Sequence, residues 1–332
     1  MYGEQYPRRL TKSFILALIL LVLVWGSVGF LWWQRQAVYD WWRLRGYEAP
    51  AEIIELADNT SMNDDARRLF YVYHPRIEDA DQFNNHCRKE NEFTIVLGCY
   101  VSNDGIYLFR VDDERLDGIV EVTAAHELLH AAYDRLSDDE RAAVDKLTAD
   151  TAKNLKNERL KSTIAEYQAN DPSSVPNELH SILGSEVRDL PAGLEKHYKQ
   201  YFTDRSKIVA YAEDYERAFA ARKQQIESLA ADLERRRAEI ERRNAALTRE
   251  SAALQTEFQR LNQERNSLSA QEFQSQANAY NADVQTYNSE VAAVSGLIDT
   301  YNDLLENYEA LVVERQGLFE AIDSRPQAIQ ES

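Results

Sequence analysis

The chain has 332 residues, 44% of them hydrophobic, with 56 acidic side chains against 38 basic ones and a formal net charge of −18. That length suffices for one substantial core and a further element beside it. The charge balance excludes a nucleic-acid role, because phosphate binding needs a basic stripe and none is present; acidity of this size marks a solvated surface and singles out no partner.

Residues 1–13 form a short polar tail with Arg8, Arg9 and Lys12. Phe14 to Trp33, "FILALILLVLVWGSVGFLWW", then runs twenty residues without a charge, about the length a helix needs to cross a bilayer with its backbone groups satisfied internally. Trp32, Trp33, Trp41 and Trp42 with Tyr39 crowd its far end, as amphipathic rings do at a membrane interface. The run is too long for a cleaved signal peptide, and no small-x-small site follows it. A transmembrane anchor over 14–33 and an interfacial linker over 34–49 are therefore expected. The basic residues on the two sides are nearly balanced, with Arg35, Arg43 and Arg45 on the far side, so orientation rests on the cysteines. Cys87 and Cys99 are the only two in the chain; a disulfide between them requires an oxidising compartment, and two buried free thiols are the alternative. The expectation is a single-pass plasma-membrane protein with a cytoplasmic N-terminus and an extracytoplasmic body.

Residues 50–203 read as a compact α+β domain. "PAEIIELA" (Pro50 to Ala57) suits a short helix with Pro in its first turn. "RLFYVYHPRI" (Arg68 to Ile77) is aromatic and β-branched and reads as a strand. "FTIVLGCYV" and "GIYLFRV" are two further strands joined at the Asn103-Asp104-Gly105 turn signal. A helix follows from about Leu116 to Leu136, and Ser137-x-x-Glu140 is a capping box that opens the next.

The first of these two helices carries "TAAHELLHAAY", Thr123 to Tyr133. Residues four apart on a helix lie one above the other, so His126 and His130 present their rings on one face. Two neutral imidazoles so placed can take two corners of a tetrahedral zinc site. Glu127 is adjacent in sequence but rotated off the metal, where a general base stands to take a proton from water. The flanking residues are small or apolar, and burying these three polar groups without a partner would be costly.

"TAAHELLHAA" resembles the signature of the zincin metallopeptidases, including Thr123 ahead of the first His, over roughly residues 50–200. The resemblance implies a minimal zincin-like fold, a Zn2+ cofactor and a peptide or protein substrate. It also implies that the last strand before the helix is an edge strand, here "GIYLFRV", which pairs with extended substrate. Zinc needs a third protein ligand. "HAAYDRLSDDE" lacks the Gly and His with which a metzincin continues, so that branch is excluded. The gluzincin branch takes a Glu from a later helix, and "DPSSVPNELHSILGSEV" offers Glu178 by resemblance of "ELHS" to that branch's pattern. His180 and Glu186 are the alternatives, since either residue type binds zinc. Tyr133, His180 and Tyr198 are open as oxyanion-stabilising donors, and His197 reads as a core or surface histidine.

From 204 the text becomes Ala, Glu, Gln, Arg and Leu. Ile226, Leu233, Ile240, Leu247, Leu254, Leu261 and Leu268 fall seven apart, with Arg236, Arg243 and Glu250 among the companion positions. Phe273, Tyr280, Tyr287, Val294, Tyr301 and Tyr308 alternate with Ala277, Val284, Val291, Ile298, Leu305, Val312 and Phe319. Ser267 and Ser269 mark a turn between the two runs. An antiparallel coiled-coil hairpin over 204–322 is expected, with a continuous dimerising rod as the rival, and a disordered tail over 323–332.

The sequence thus predicts an α+β zincin-like domain behind a transmembrane helix, followed by the hairpin. Its function would be that of a membrane-anchored zinc endopeptidase: Zn2+ on His126, His130 and Glu178 activates water, and Glu127 is the base. The hairpin would meet a protein partner. The second expectation is a non-catalytic envelope scaffold with a structural or vestigial metal site.

Overall fold

A computed structural model describes residues 12–87 and 96–325. Twelve α-helices are found among them, α1 (Lys12–Trp33), α2 (Arg35–Leu44), α3 (Ala51–Asn59), α4 (Asp64–Val72), α5 (Ala80–His86), α6 (Ile119–Asp134), α7 (Asp138–Ala152), α8 (Glu158–Asn170), α9 (Val175–Glu186), α10 (Ala192–Tyr198), α11 (Arg205–Glu264) and α12 (Ala270–Ile322). The strands β1 (Arg76–Glu78), β2 (Gly98–Val101) and β3 (Gly105–Phe109) form one sheet in the order β1-β3-β2. The expected fold class is therefore corrected. The chain is predominantly helical, and the sheet of the expected α+β domain shrinks to three strands of three, four and five residues.

The anchor and the location built on it are corrected too. Among the described residues no helix is long and apolar enough to cross a membrane. Neither a transmembrane span over 14–33 nor a single-pass plasma-membrane placement has support in this structure. Residues 34–49 include α2, which is tied to the rest of the first unit. Arg135, just past the end of α6, holds Asp40 of α2 through both Nη atoms at 2.7 Å, and Arg43 Nε donates to the Val72 carbonyl at 2.9 Å.

The first half of the strand expected over 68–77 is the end of helix α4. Asn63 caps it, its side chain accepting from the Ala66 amide, and Ala66, Leu69, Phe70 and Val72 are buried along one side. A good cap and a helical spacing of apolar residues outweigh the β-propensity of the aromatics, as tertiary context commonly does. Only Arg76 to Glu78 are extended, pairing parallel with Tyr107 to Phe109. Gly98 to Val101 pair antiparallel with the other side of β3. Residues 93–95 of the expected second strand lie outside the described residues. "GIYLFRV" supplies the central strand, so it cannot be the edge that receives substrate; β2 is the strand set beside α6. Cys87 and Cys99 form a disulfide within an apolar cluster of Phe83, Tyr107 and Phe109.

Two compact units are distinguished: residues 1–111, 117–213 and 324–332, and residues 112–116 and 214–323. The first has α6 at its centre. Ala124, Ala125, Leu128, Leu129, Ala131 and Ala132 are all buried, which is how a helix apolar on every side must sit. α9 packs closely against it because Gly184 has no side chain: a β-carbon there would lie 2.4 Å from Leu129 Cδ1 and 2.6 Å from Tyr198 Cε1. Ser137 and Glu140 form a reciprocal capping box at the start of α7. Ser324, placed in the expected disordered tail, is buried and donates from Oγ to the Val96 carbonyl at 2.6 Å.

The second unit is an antiparallel helical hairpin. Arg222 meets Glu314 at 2.7 Å, Arg243 meets Glu290 at 3.2 Å, and Arg260 donates to Gln276 at 3.0 Å. Numbers rise on one arm as they fall on the other, which a continuous rod could not give. Ile226, Leu233, Leu247 and Leu261 are buried against a seam that includes Val294 and Leu318, and Phe219 stacks near Phe319 with ring centroids 5.2 Å apart. Ser269 and Glu272 cap the second arm reciprocally.

Substituting Gly184 by Ala should overpack the α6–α9 contact and cost about 1–3 kcal/mol. The measurement is denaturant unfolding, with a lower midpoint at unchanged slope; wild-type stability in the variant would show that the helices do not approach this closely.

Candidate metal centre

α6 supplies His126, Glu127 and His130, and the first turn of α9 supplies Glu178. The chain enters α9 through Ser174, with Pro176 in the first turn, where its missing N–H is not needed. An acid at this end is favoured by the helix dipole. Packing of α9 on α6 then carries the carboxylate over both imidazoles. Glu178 Oε2 lies 3.6 Å from His126 Nε2, and Oε1 lies 3.7 Å from His130 Nε2. One ligand atom from each of the three residues falls within 4.8 Å of the others.

These separations are too long for hydrogen bonds and suit ligands of one cation. Bonds of about 2.0–2.2 Å at a tetrahedral angle place donor atoms roughly 3.4 Å apart. Glu178 Oε2 is buried and has no hydrogen-bond partner, an arrangement that is costly unless a cation completes it. Two imidazoles and a carboxylate are a donor set for zinc, and other divalent transition metals also accept it. The residues fit a metal.

The surroundings orient the ligands. His130 Nδ1 contacts Asn177 Oδ1 at 3.0 Å; with the amide oxygen accepting, Nδ1 carries the proton and Nε2 is left with the lone pair that faces Glu178. Burial acts to lower the His126 pKa, but the Glu178 carboxylate and the charges of Glu127 and Glu186 prevail and hold it up at about 9. Burial likewise acts to raise Glu178, but His126, His130 and the hydroxyl of Tyr167 on α8 hold it below the usual carboxylate range. Glu127 is buried at 5% exposure and lies against β2, beside Gly98.

The alternatives are placed elsewhere. Glu186 forms an ion pair with Arg159 and acts on His126 through its charge alone. His180 is fully buried, with Nε2 2.8 Å from His197 Nε2, so His197 is its partner and not a surface group. Neither expected tyrosine faces the metal ligands: Tyr133 donates to Asp145 at 2.8 Å, and Tyr198 donates to the His180 carbonyl at 2.7 Å. The residues that sequence reasoning missed are Asn177, Tyr167 and Gly98. Asn177 acquires its partner only when α9 packs on α6, and Tyr167 only when α8 packs on α9, and no local pattern announces that.

Asn177→Ala should lower metal affinity about 10–100-fold, read by competition with a chelating dye; unchanged affinity would show that His130 is oriented by other means. A second expectation concerns the histidine pair. Burial and the neighbouring His197 push the His180 pKa well below its ordinary value, and burial lowers His197 as well. The unfolded chain takes up these protons near about pH 6.5, whereas the folded chain resists them. Their contribution to stability is thus complete above that pH and is lost as pH falls below it. Urea unfolding from pH 7.5 to 5 should show this decline, and His180→Gln should flatten it; an equal slope in both proteins would count against the buried neutral pair.

No protein-family model, no curated protein and no solved structure matches the chain.

Proposed function

We propose that the chain is a metal-dependent peptidase, with zinc as its metal. The observation that carries this reading is the convergence of His126, His130 and Glu178 on one point, with Glu127 on the same turn of α6. A bound divalent cation supplies Lewis acidity and makes water a better nucleophile near neutral pH. The protein does the rest. His126, His130 and Glu178 hold the cation. Glu127 accepts the proton of the water that attacks the peptide carbonyl and returns it to the departing amine. Tyr167 steadies the Glu178 carboxylate. Among the described residues β2 is an outer strand of the sheet and adjoins Glu127, so an extended peptide pairing with its outer side would pass beside the base.

A second reading, a non-catalytic scaffold, is favoured by the hairpin of α11 and α12, which offers length and no metal-binding cluster among the described residues. Glu127 separates the two readings, because a structural site needs no base.

His126→Ala, His130→Ala and Glu178→Ala should each lose stoichiometric zinc, read by elemental analysis, together with peptide hydrolysis. Glu127→Gln should keep zinc and lose about 10²–10⁴-fold in turnover. A wild-type protein that holds zinc and cleaves no peptide in a broad library would sink the peptidase reading and leave the scaffold.

A further inference from the structure

Gly98 lies in β2, hydrogen-bonded in register with Leu108 of β3. Its backbone is ordinary extended strand, since the glycines with positive φ among the described residues are Gly46 and Gly118. What the position uses is therefore the missing side chain. Thr123 and Glu127 stand one turn apart on α6, on the side turned to this strand. Thr123 Oγ1 donates to the Ile119 carbonyl at 2.7 Å, which fixes a side chain already stiff at its branched β-carbon. A β-carbon on Gly98 would fall 2.5 Å from Thr123 Cγ2 and 2.9 Å from both Cγ and Oε1 of Glu127. Real β-carbons do not approach so closely. Cγ of Glu127 is near the root of a buried side chain and cannot swing aside as a tip could.

We propose that Gly98 is a positioning residue for Glu127: its bare backbone lets β2 lie directly on the base and fixes where the Glu127 carboxylate sits relative to His126 and His130. The inference rests on reading Glu127 as the general base. Any side chain at 98 forces either the strand away from α6 or the carboxylate out of place. The metal ligands project from other positions and are untouched, so the effect should fall on turnover and spare metal binding. Misplacing a catalytic group by about 1 Å can cost roughly 100-fold in rate.

The test uses the full chain loaded with zinc or with cobalt(II), as wild type, Gly98→Ala, Gly98→Ala with Thr123→Ser, and Glu127→Gln. Thr123→Ser removes the methyl that makes the closest contact and leaves the Glu127 contact in place. Gly98→Ala should keep its metal stoichiometry and lower kcat about 100-fold, and the double variant should retain that loss. The visible spectrum of the cobalt(II) protein should shift toward that of Glu127→Gln in both Gly98 variants. Wild-type kcat in Gly98→Ala, recovery of kcat by Thr123→Ser, or metal loss in step with kcat would each overturn the proposal. If the wild type cleaves no peptide, the peptidase reading fails separately. The cobalt spectrum then decides alone, and an unshifted spectrum overturns the role of Gly98.

Discussion

The close approach of α9 to α6 is the constraint on which the metal centre depends. Glu178 is carried on the first turn of α9, two turns from Gly184, and reaches His126 and His130 because that glycine admits Leu129 and Tyr198 where a side chain would stand. Cores packed to crystal-like density transmit small displacements. A helix held off by the width of a methyl group would move the carboxylate by a comparable amount, and a metal site tolerates little of that. Leu183 of α9 is buried, and Leu179 and Ile182 pack with Leu160 and Ile164 of α8, so the apolar gain that holds α9 in place also sets the ligand geometry.

Burying this much charge is costly by itself. Glu127, Glu178 and Glu186 gather around two histidines at low exposure, and removing carboxylates from water is unfavourable without compensation. Arg159 offsets Glu186. For Glu178 the compensation visible in the protein is the pair of imidazoles and the Tyr167 hydroxyl, and Oε2 is still left without a hydrogen bond. A divalent cation would balance the charge and complete the coordination at once. Sites of this kind sacrifice stability for function, and the helices around α6 make that sacrifice tolerable by burying an almost entirely apolar surface.

The small sheet has a different role. With three short strands it contributes little core of its own, and Phe83, Tyr107, Phe109 and the disulfide at Cys87 and Cys99 consolidate it. Its importance is positional, since β2 is laid on the helix that carries Glu127. The hairpin obeys simpler rules: a seam of Ile and Leu at seven-residue spacing buries itself against the facing helix, while Arg222, Arg243 and Arg260 meet acceptors across the seam.

The sequence by itself determined what depends on near neighbours. The four-residue spacing of His126 and His130 puts them on one helical face, Ser137 with Glu140 and Ser269 with Glu272 cap their helices, and Pro50 opens a short one. The seven-residue spacing from Ile226 onward is likewise a local property, because helical periodicity is set by backbone geometry. Only the tertiary structure decided the rest. Residues 68–72 are helical in spite of their aromatics because burial on one side of α4 outweighs β-propensity. "GIYLFRV" is central and not an edge because Arg76 to Glu78 pair on its other side. Long apolar text at the N-terminus gives, among the described residues, no helix able to span a membrane. Glu178 rather than His180 or Glu186 meets the imidazoles because the rotation of α9 about its axis turns His180 inward to His197 and gives Glu186 to Arg159. Such choices depend on which elements pack together and at what distance, and those distances are properties of side chains far apart in the chain.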